Sequence, residues 1–392
     1  MTGLSTAATA STCYADGAAE GADAFRLLPR VYYVSPEIFA KEVEQVFFRQ
    51  WIFLGHASQV KDVGDYFLET FAGESLILVR ESAERIAGYF NVCRHRGHPL
   101  CKDETGSVRQ FTCPYHRWSY GLDGGLRRAP GSPDGEQFDY RDWGLHRFSI
   151  EVWNGFIFGW LSRDEPPSLA SRLAAADGDF RLLETQRVKE AHRESYDIDA
   201  NWKLLLENYL ECYHCEGAHP ELCVSMDVGA TYANTESDWA GEYFSGLLQL
   251  RPGMKTGSMD GQPVSMMLGG LAGKSDVPDG FGAGIGIVPT LTRVIFHIDH
   301  GIVHMLRPVD VGCVRWETRW YVHEDAVEGE DYDVAKLTEL WKVTNRQDLA
   351  LCEAAYQGVL SRRFVSGPLD RRRETAVHSA LQTYRRMMNA SP

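Results

Sequence analysis

Cys93-Arg94-His95-Arg96-Gly97-His98-Pro99 and, further on, Phe111-Thr112-Cys113-Pro114-Tyr115-His116 hold two mixed cysteine–histidine pairs. One residue separates Cys93 from His95, two separate Cys113 from His116, and seventeen lie between the pairs. Two thiolates and two imidazoles on two short loops can hold a 2Fe–2S cluster, with Cys93 and Cys113 on one iron and His95 and His116 on the other. Neutral imidazoles in place of two thiolates raise the reduction potential, which suits a cluster that feeds electrons to oxygen chemistry. Gly97, Pro99 and Pro114 fit loops that bring ligands together. A Cys2His2 zinc site is the alternative. Zinc fingers, however, keep Cys with Cys and His with His, and here each pair is mixed.

The chain around this stretch has 392 residues, more than one hydrophobic core usually organises, so two domains are expected. Its 44% hydrophobic and 24% charged residues are an ordinary globular mix. No apolar run is long enough to span a membrane, and no secretory signal opens the chain. Nine cysteines, an odd number without compact disulfide spacing, point to a reducing compartment, hence the cytoplasm. A net charge of −14 argues against nucleic acid as a partner. The cluster stretch is the local exception. Between residues 93 and 128, seven Arg and Lys residues face three acidic ones, either a solvated loop surface or a docking patch for an acidic electron donor.

Residues 1–22, rich in Ala, Gly, Ser and Thr, read as a disordered tail. Segment 23–47 reads as an N-terminal helical segment packing on the second domain, with Ser35-Pro36 as cap and first turn of a helix reaching about Phe47. A small β domain follows over 48–165, with strands at Trp51–Leu54, Tyr66–Thr70, Ser75–Arg80 and Ile86–Val92. The β pattern resumes after the cluster loops through Trp118–Tyr120 and Phe148–Leu161. The polar, proline-ended Arg163–Pro167 marks the boundary, and 166–392 form the second domain. Helices are expected at about 168–176, 200–215, 333–360 and 370–388, and strands over about 284–323. The Gly-, Met- and Ser-rich stretch 251–285 reads as a lid or pocket lining.

A second chemical stretch lies in 201–220. Glu211 and His214, three apart, would share a helix face, and Gly217 and Pro220 let the chain turn so that His219 returns to the same metal. Two imidazoles and a carboxylate make the three-ligand face of non-heme Fe(II) oxygenases. At helical spacing, Leu337, Trp341, Thr344, Asp348, Cys352 and Ala355 form an inward stripe. A carboxylate there is costly unless paired or metal-bound, so Asp348 is the candidate third ligand. A helix break near Asn345, leaving Asp348 an exposed cap, is the competing reading. Cys212 and Cys215 flank His214 and are read as small buried residues. His56, His146, His192 and His378 are read as ordinary histidines, and His297, His300 and His304 as possible pocket residues but not ligands.

Together the two motifs resemble the oxygenase (α) component of Rieske non-heme iron oxygenases, over about Val31 to Met388. The resemblance implies an α+β fold: a small all-β Rieske domain plus a helix-grip, START-like catalytic domain with an antiparallel sheet wrapped on a long helix. It also implies a homotrimer in which one subunit's cluster faces its neighbour's mononuclear iron. Glu211 would then bridge His116 of one subunit and His214 of the next. Asn208 matches an asparagine near the iron that is too distant to be a firm ligand. Glu at position 211, where the family usually has Asp, resembles the carnitine and betaine branch. No GxGxxG opens a βαβ unit, so NAD(P)H and flavin belong to a partner, a flavin/2Fe–2S reductase or a ferredoxin donor.

Within the family, the tail with Leu340-Trp341, Thr344 through Asp348, Gly358 and Ser366 through Leu369 looks most like enzymes that oxidise quaternary ammonium compounds. Those include glycine betaine and stachydrine demethylases and choline and carnitine monooxygenases. Hydroxylating an N-methyl group would release formaldehyde. A trimethylammonium group needs an aromatic cage, for which Tyr232, Trp239, Tyr243, Phe244, Phe281 and Phe296 are candidates, with ordinary core packing as the competing reading. Arg251, Lys255 or Arg307 could meet a substrate carboxylate. The alternatives are an aromatic-ring hydroxylating dioxygenase or O-demethylase of the same architecture, a Rieske electron carrier fused to a ligand-binding domain, and a structural zinc protein.

Overall fold

The computed structural model describes residues 25–131, 138–229, 243–245, 249–271, 274 and 281–390. The tail expected over 1–22 lies outside them. Ten strands precede residue 161: β1 (Ile52–His56), β2 (Asp65–Phe71), β3 (Glu74–Arg80), β4 (Ile86–Phe90), β5 (Thr105–Ser107), β6 (Phe111–Thr112), β7 (Ser119–Tyr120), β8 (Leu126–Arg128), β9 (Arg147–Trp153) and β10 (Phe156–Trp160). They form a seven-stranded sheet in the order β1-β10-β9-β4-β3-β2-β5 and a three-stranded sheet β6-β7-β8. The β segment expected over Phe148–Leu161 is a hairpin. Asn154 and Gly155 turn it, at φ +48° and +89°, values that Asn and Gly tolerate best.

A second sheet of six antiparallel strands runs β11-β16-β15-β14-β13-β12. Its strands are β11 (Val188–Ile198), β12 (Tyr243–Ser245), β13 (Gly282–Ile287), β14 (Thr292–His297), β15 (His300–Asp310) and β16 (Cys313–His323). The long helix Val334–Leu360 starts where the Asp333 side chain accepts the Lys336 N–H at 3.0 Å. It packs Leu337, Leu340 and Trp341 against Ile295, Ile302 and Trp320 of the sheet. This helix on an antiparallel sheet is the helix-grip arrangement that the resemblance implied.

Three expectations need correction. β11 was not foreseen: its Val-Lys-Glu-Ala-His-Arg-Glu-Ser-Tyr-Asp-Ile holds apolar residues mainly at its ends, as suits an edge strand that pairs on one side only. The helix expected over 200–215 stops at Tyr209, and a separate short helix runs Cys215–Ala218. The inward stripe of the long helix keeps Leu337, Trp341, Thr344, Asp348 and Cys352 but continues through Tyr356 and Val359, while Ala355 is exposed. The helix is unbroken at Asn345, so Asp348 is no exposed cap.

The N-terminal helix Pro36–Glu42, opened by the Ser35 cap, leads into a π-turn, Val43–Phe47. It is held through one buried carboxylate. Glu42 takes a hydrogen bond from Lys203 Nζ at 2.6 Å, from Trp202 Nε1 at 2.7 Å and from the Tyr384 hydroxyl at 2.5 Å. Both Glu42 and Lys203 are fully buried. Glu42 thereby ties the chain's start to the helix Trp202–Tyr209 and to the C-terminal helix Thr375–Asn389. Removing one partner of such a pair strands the other charge. Glu42→Ala should lower unfolding stability by about 3–5 kcal/mol in denaturant titration, and a loss under about 1 kcal/mol would contradict the role given to the pair.

Candidate active site and metal centres

Two similar loops present the first donor set. In one, Gly97 N donates to the Cys93 carbonyl at 2.9 Å and Cys93 N to the His98 carbonyl at 3.0 Å. In the other, Arg117 N donates to the Cys113 carbonyl at 3.0 Å and Cys113 N to the Trp118 carbonyl at 2.8 Å. Each loop turns through a residue in the left-handed region, Gly97 at φ +74° and Arg117 at +63°. The arrangement buries Cys93 and Cys113 while His95 stays exposed and His116 half-buried. The imidazoles meet at 4.5 Å between ring centroids, and His95 stacks on Trp118 at 4.8 Å. Paired thiols inside and paired imidazoles at the surface fit a cluster with one iron of each kind, its histidine edge open to electron exchange.

The second donor set comes from three separate elements. Asn201 caps the helix Trp202–Tyr209, its side chain accepting the Lys203 N–H at 3.1 Å. Beyond that helix the Glu211 carboxylate accepts N–H groups from Tyr213 and His214 and so caps the next turn. That competition explains why the helix does not run on to 215: the carboxylate offers the backbone another partner. Glu211 and His214 therefore meet across a turn rather than along a helix face, with His214 Nδ1 2.5 Å from Glu211 Oε1. After Cys215–Ala218 the chain brings back His219, and the long helix supplies Asp348. Asp348 Oδ1 lies 3.0 Å from His214 Nε2 and 2.9 Å from His219 Nε2. Donors about 2.1 Å from one ion stand about 3 Å apart along an octahedral edge, so this spacing fits a single metal ion on a two-histidine, one-carboxylate face.

The second nitrogen of each imidazole is also engaged. His219 Nδ1 meets Gln347 Oε1 at 2.8 Å, and Gln347 Nε2 donates to Glu221 at 2.9 Å. Glu211 plays the same part for His214. Such partners fix the ring and its tautomer. Burial opposes charge on these groups, yet hydrogen bonding to Asp348 and Glu211 lifts His214 to about 10, and bonding to Asp348 raises His219. Asp348, despite burial, sits below the usual carboxylate range because both imidazoles bond it. The site is thus poised for a cation in place of shared protons. Asn208 Nδ2 is 3.4 Å from His214 Nε2, beside the donors rather than among them.

Tyr209, Leu222, Arg293 and Trp341 line the pocket around these residues. None of the four was singled out from sequence for this role. Cys215 is buried as expected, and its sulfur lies within 4.8 Å of the two imidazole donors. Cys212, on the same turn, is only half-buried. The carboxylate-binding candidates lie elsewhere. Arg307 donates to the Phe53 carbonyl at 3.0 Å and pairs with Glu69 at 3.4 Å, inside a buried network between the two sheets. Arg251 donates to the Cys223 carbonyl at 2.7 Å, and Lys255 is exposed. Of the cage candidates, Phe296 and Tyr243 pack in a hydrophobic core, Phe296 against Phe156 at 5.6 Å, with Phe281 at its margin. Tyr232, Trp239 and the Phe244 side chain lie outside the described residues. The described part of 251–285 is pinned to the sheet by Asp299, which accepts from Thr256 Oγ1 at 2.6 Å and Val264 N at 2.7 Å.

The chain matches the family model Rieske [2Fe-2S] domain over residues 50–140 and the model Ring hydroxylating alpha subunit (catalytic domain) over 185–390. It is 34% identical over 382 residues to the glycine betaine monooxygenase oxygenase subunit of Chromohalobacter salexigens, covering 91% of this chain and 84% of that one. The carnitine monooxygenase oxygenase subunit of Acinetobacter baumannii is 33% identical over 221 residues, 55% of this chain and 58% of its own. A solved quaternary ammonium Rieske monooxygenase shares the fold, with a TM-score of 0.73 over 94% of this chain and 97% of that one, at 23% identity.

Asp348→Ala should lower the iron content from about three to about two per chain while the visible cluster spectrum persists. Gln347→Leu keeps all three donors but frees the His219 ring, and should weaken retention of the third iron by about 10–100-fold in chelator competition. Full retention in both variants would contradict the assigned donors.

Proposed function

The chain belongs to the Rieske non-heme iron oxygenases as an oxygenase (α) component, and on that premise we propose that it hydroxylates an N-methyl group of a quaternary ammonium compound. The observation that carries the oxygenase reading is the convergence of His214 and His219 on Asp348, each imidazole within 3.0 Å of its carboxylate. Fe(II) held there would supply O2 activation. The substrate class rests on the relatives named for glycine betaine and carnitine, and on the aromatic side chains of Tyr209 and Trp341 beside the donors.

The chain's own residues divide the work. Gln347 and Glu211 hold the imidazoles in orientation. Trp341, Leu222 and Tyr209 exclude water and leave an apolar approach to the metal face. Glu211, already bonded to His214, is the residue placed to accept an electron route from His116 of the partner subunit in a homotrimer. Electrons would come from NAD(P)H through a flavin/2Fe–2S reductase or ferredoxin, docking near the basic cluster stretch. Segment 48–165 would be the cluster-bearing unit and 166–392 the catalytic one, with 23–47 packed on the latter through Glu42. No described helix is long and apolar enough to cross a membrane, and the cysteine usage supports a cytoplasmic setting. Per turnover, O2, two electrons and two protons would convert one N–CH3 to N–CH2OH, the second oxygen atom leaving as water. The hydroxymethyl group would then lose its O–H proton and leave as formaldehyde, its C–N bond breaking toward nitrogen to give the tertiary amine.

With a broad-specificity reductase and NADH, O2 uptake should be stimulated by one or more of glycine betaine, carnitine or choline. Formaldehyde should match the oxygen consumed. Uptake with aromatic acids alone would overturn the substrate class while leaving the oxygenase class standing.

A further inference from the structure

The turn that carries His214 also carries two thiols that neither donor set uses. Cys215 N donates to the Cys212 carbonyl at 3.1 Å, so Cys212-Tyr213-His214-Cys215 is one tight turn. The Glu211 carboxylate, accepting the Tyr213 and His214 N–H groups, holds the same turn. A turn closed in this way keeps its end Cα atoms within about 7 Å, and bridged cysteines stand about 4.4–6.8 Å apart at Cα. Cys212 and Cys215 are free thiols in hydrogen-bonding contact with one another. Cys101 and Cys352 pack in separate cores, and the nearby Cys223 directs its thiol to the Cys215 carbonyl at 3.7 Å.

The surroundings of the pair say what it would meet. Cys212 and Cys215 line, together with His214, His219 and Asp348, a space of about 30 Å³. The Cys215 sulfur and one nitrogen of each imidazole lie within 4.8 Å of one another. Hydrogen peroxide is little larger than water and fits a space of that size. It is also what O2, two electrons and two protons give when no substrate carbon takes an oxygen atom. Cys215 is buried, whereas Cys212 is half-buried and so open to a reductant from solvent.

We infer that Cys212 and Cys215 form a dithiol that reduces hydrogen peroxide arising at the neighbouring metal site. The inference rests on the oxygenase reading above and is independent of the substrate class. The Cys212 sulfur gives up its proton and attacks one peroxide oxygen; the O–O bond breaks and the other oxygen leaves as water, giving a sulfenic acid. The Cys215 sulfur then attacks that sulfur, the S–S bond forms and the S–OH bond breaks, releasing a second water. Two thiols thereby lose two electrons and two protons, and one peroxide becomes two waters. A small thiol reductant entering at Cys212 restores the pair. Interception at this turn spares the imidazoles beside it.

Peptide mass mapping after alkylation tests this on the holoenzyme in two arms. One arm adds stoichiometric hydrogen peroxide. The other takes enzyme reduced and freed of excess reductant, and adds O2 without substrate, with and without catalase. In the first arm Cys212 and Cys215 should bridge at least about tenfold faster than Cys101 or Cys352 is lost, and dithiothreitol should reverse the bridge. In the second arm the same bridge should form whether or not catalase is present, because the oxidant arises inside the protein. Cys215→Ser should stop at a Cys212 sulfenic acid that dimedone traps, and Cys212→Ser should leave Cys215 reduced. No bridge with added peroxide, a bridge through Cys223, or loss of all thiols at one rate would overturn the dithiol. A bridge in the second arm that catalase abolishes would overturn interception at the metal site, as would its absence there despite O2 uptake. If the reduced enzyme takes up no O2, the oxygenase reading falls and the first arm alone decides the dithiol. An intact cluster spectrum checks folding of each variant, and should either not fold, the wild-type mapping decides the matter.

Discussion

The carboxylate of Asp348, buried on a long helix and set about 3 Å from two imidazoles, is the constraint around which the catalytic half is built. A lone ionised carboxylate on a buried helix face would cost several kcal/mol. Here it is offset by two histidines from a chain segment some 130 residues earlier. Holding those pieces in register needs a stiff frame. The frame is the six-stranded sheet, with Ile295, Ile302 and Trp320 packed under Leu337, Leu340 and Trp341 of the same helix. The donor triangle is therefore a property of the whole domain.

Buried charge also joins the parts of the molecule. Arg319 on β16 pairs with Glu69 on β2 at 2.6 Å and with Glu317 at 2.5 Å, while Arg307 reaches the Phe53 carbonyl. These contacts fasten the cluster-bearing sheet to the catalytic sheet. Glu42 does the same for the N-terminal helix. Such pairs contribute modestly to net stability, but breaking one leaves an uncompensated charge. The placement of the two sheets on one another is thus fixed by interactions that tolerate little slippage.

Much of this was legible in the sequence because the signals are local. The mixed Cys/His pairs are short-range, and Asp348 stood out as a carboxylate in an apolar stripe of helical period. Other features depend on pairing that no local pattern carries. Arg293 and His304 are eleven residues apart and become neighbours only through the β14–β15 register. β11 is polar along most of its length because it is an edge, so alternation gave no sign of it. Glu211 and His214 have the spacing of a helix face, yet the carboxylate prefers to cap a turn, and the contact survives by another geometry. Arg307, one of three cations that the sequence offers for a substrate carboxylate, is engaged by Glu69 and a backbone carbonyl. Of the aromatic residues that the sequence offers for a cage, Phe296 and Tyr243 are core, whereas Tyr209 and Trp341 stand at the pocket.

We propose that the two metal centres act as a pair, coupled through the hydrogen bond between Glu211 and His214. The direct test is a single turnover of Glu211→Gln beside wild type, starting from fully reduced enzyme with O2 and substrate and following reoxidation of the cluster. The amide preserves size and leaves both donor sets untouched, so the variant should keep its full iron content. If Glu211 carries the coupling, cluster reoxidation and product formation should slow sharply together. Reoxidation at the wild-type rate, with product formed in step, would contradict it.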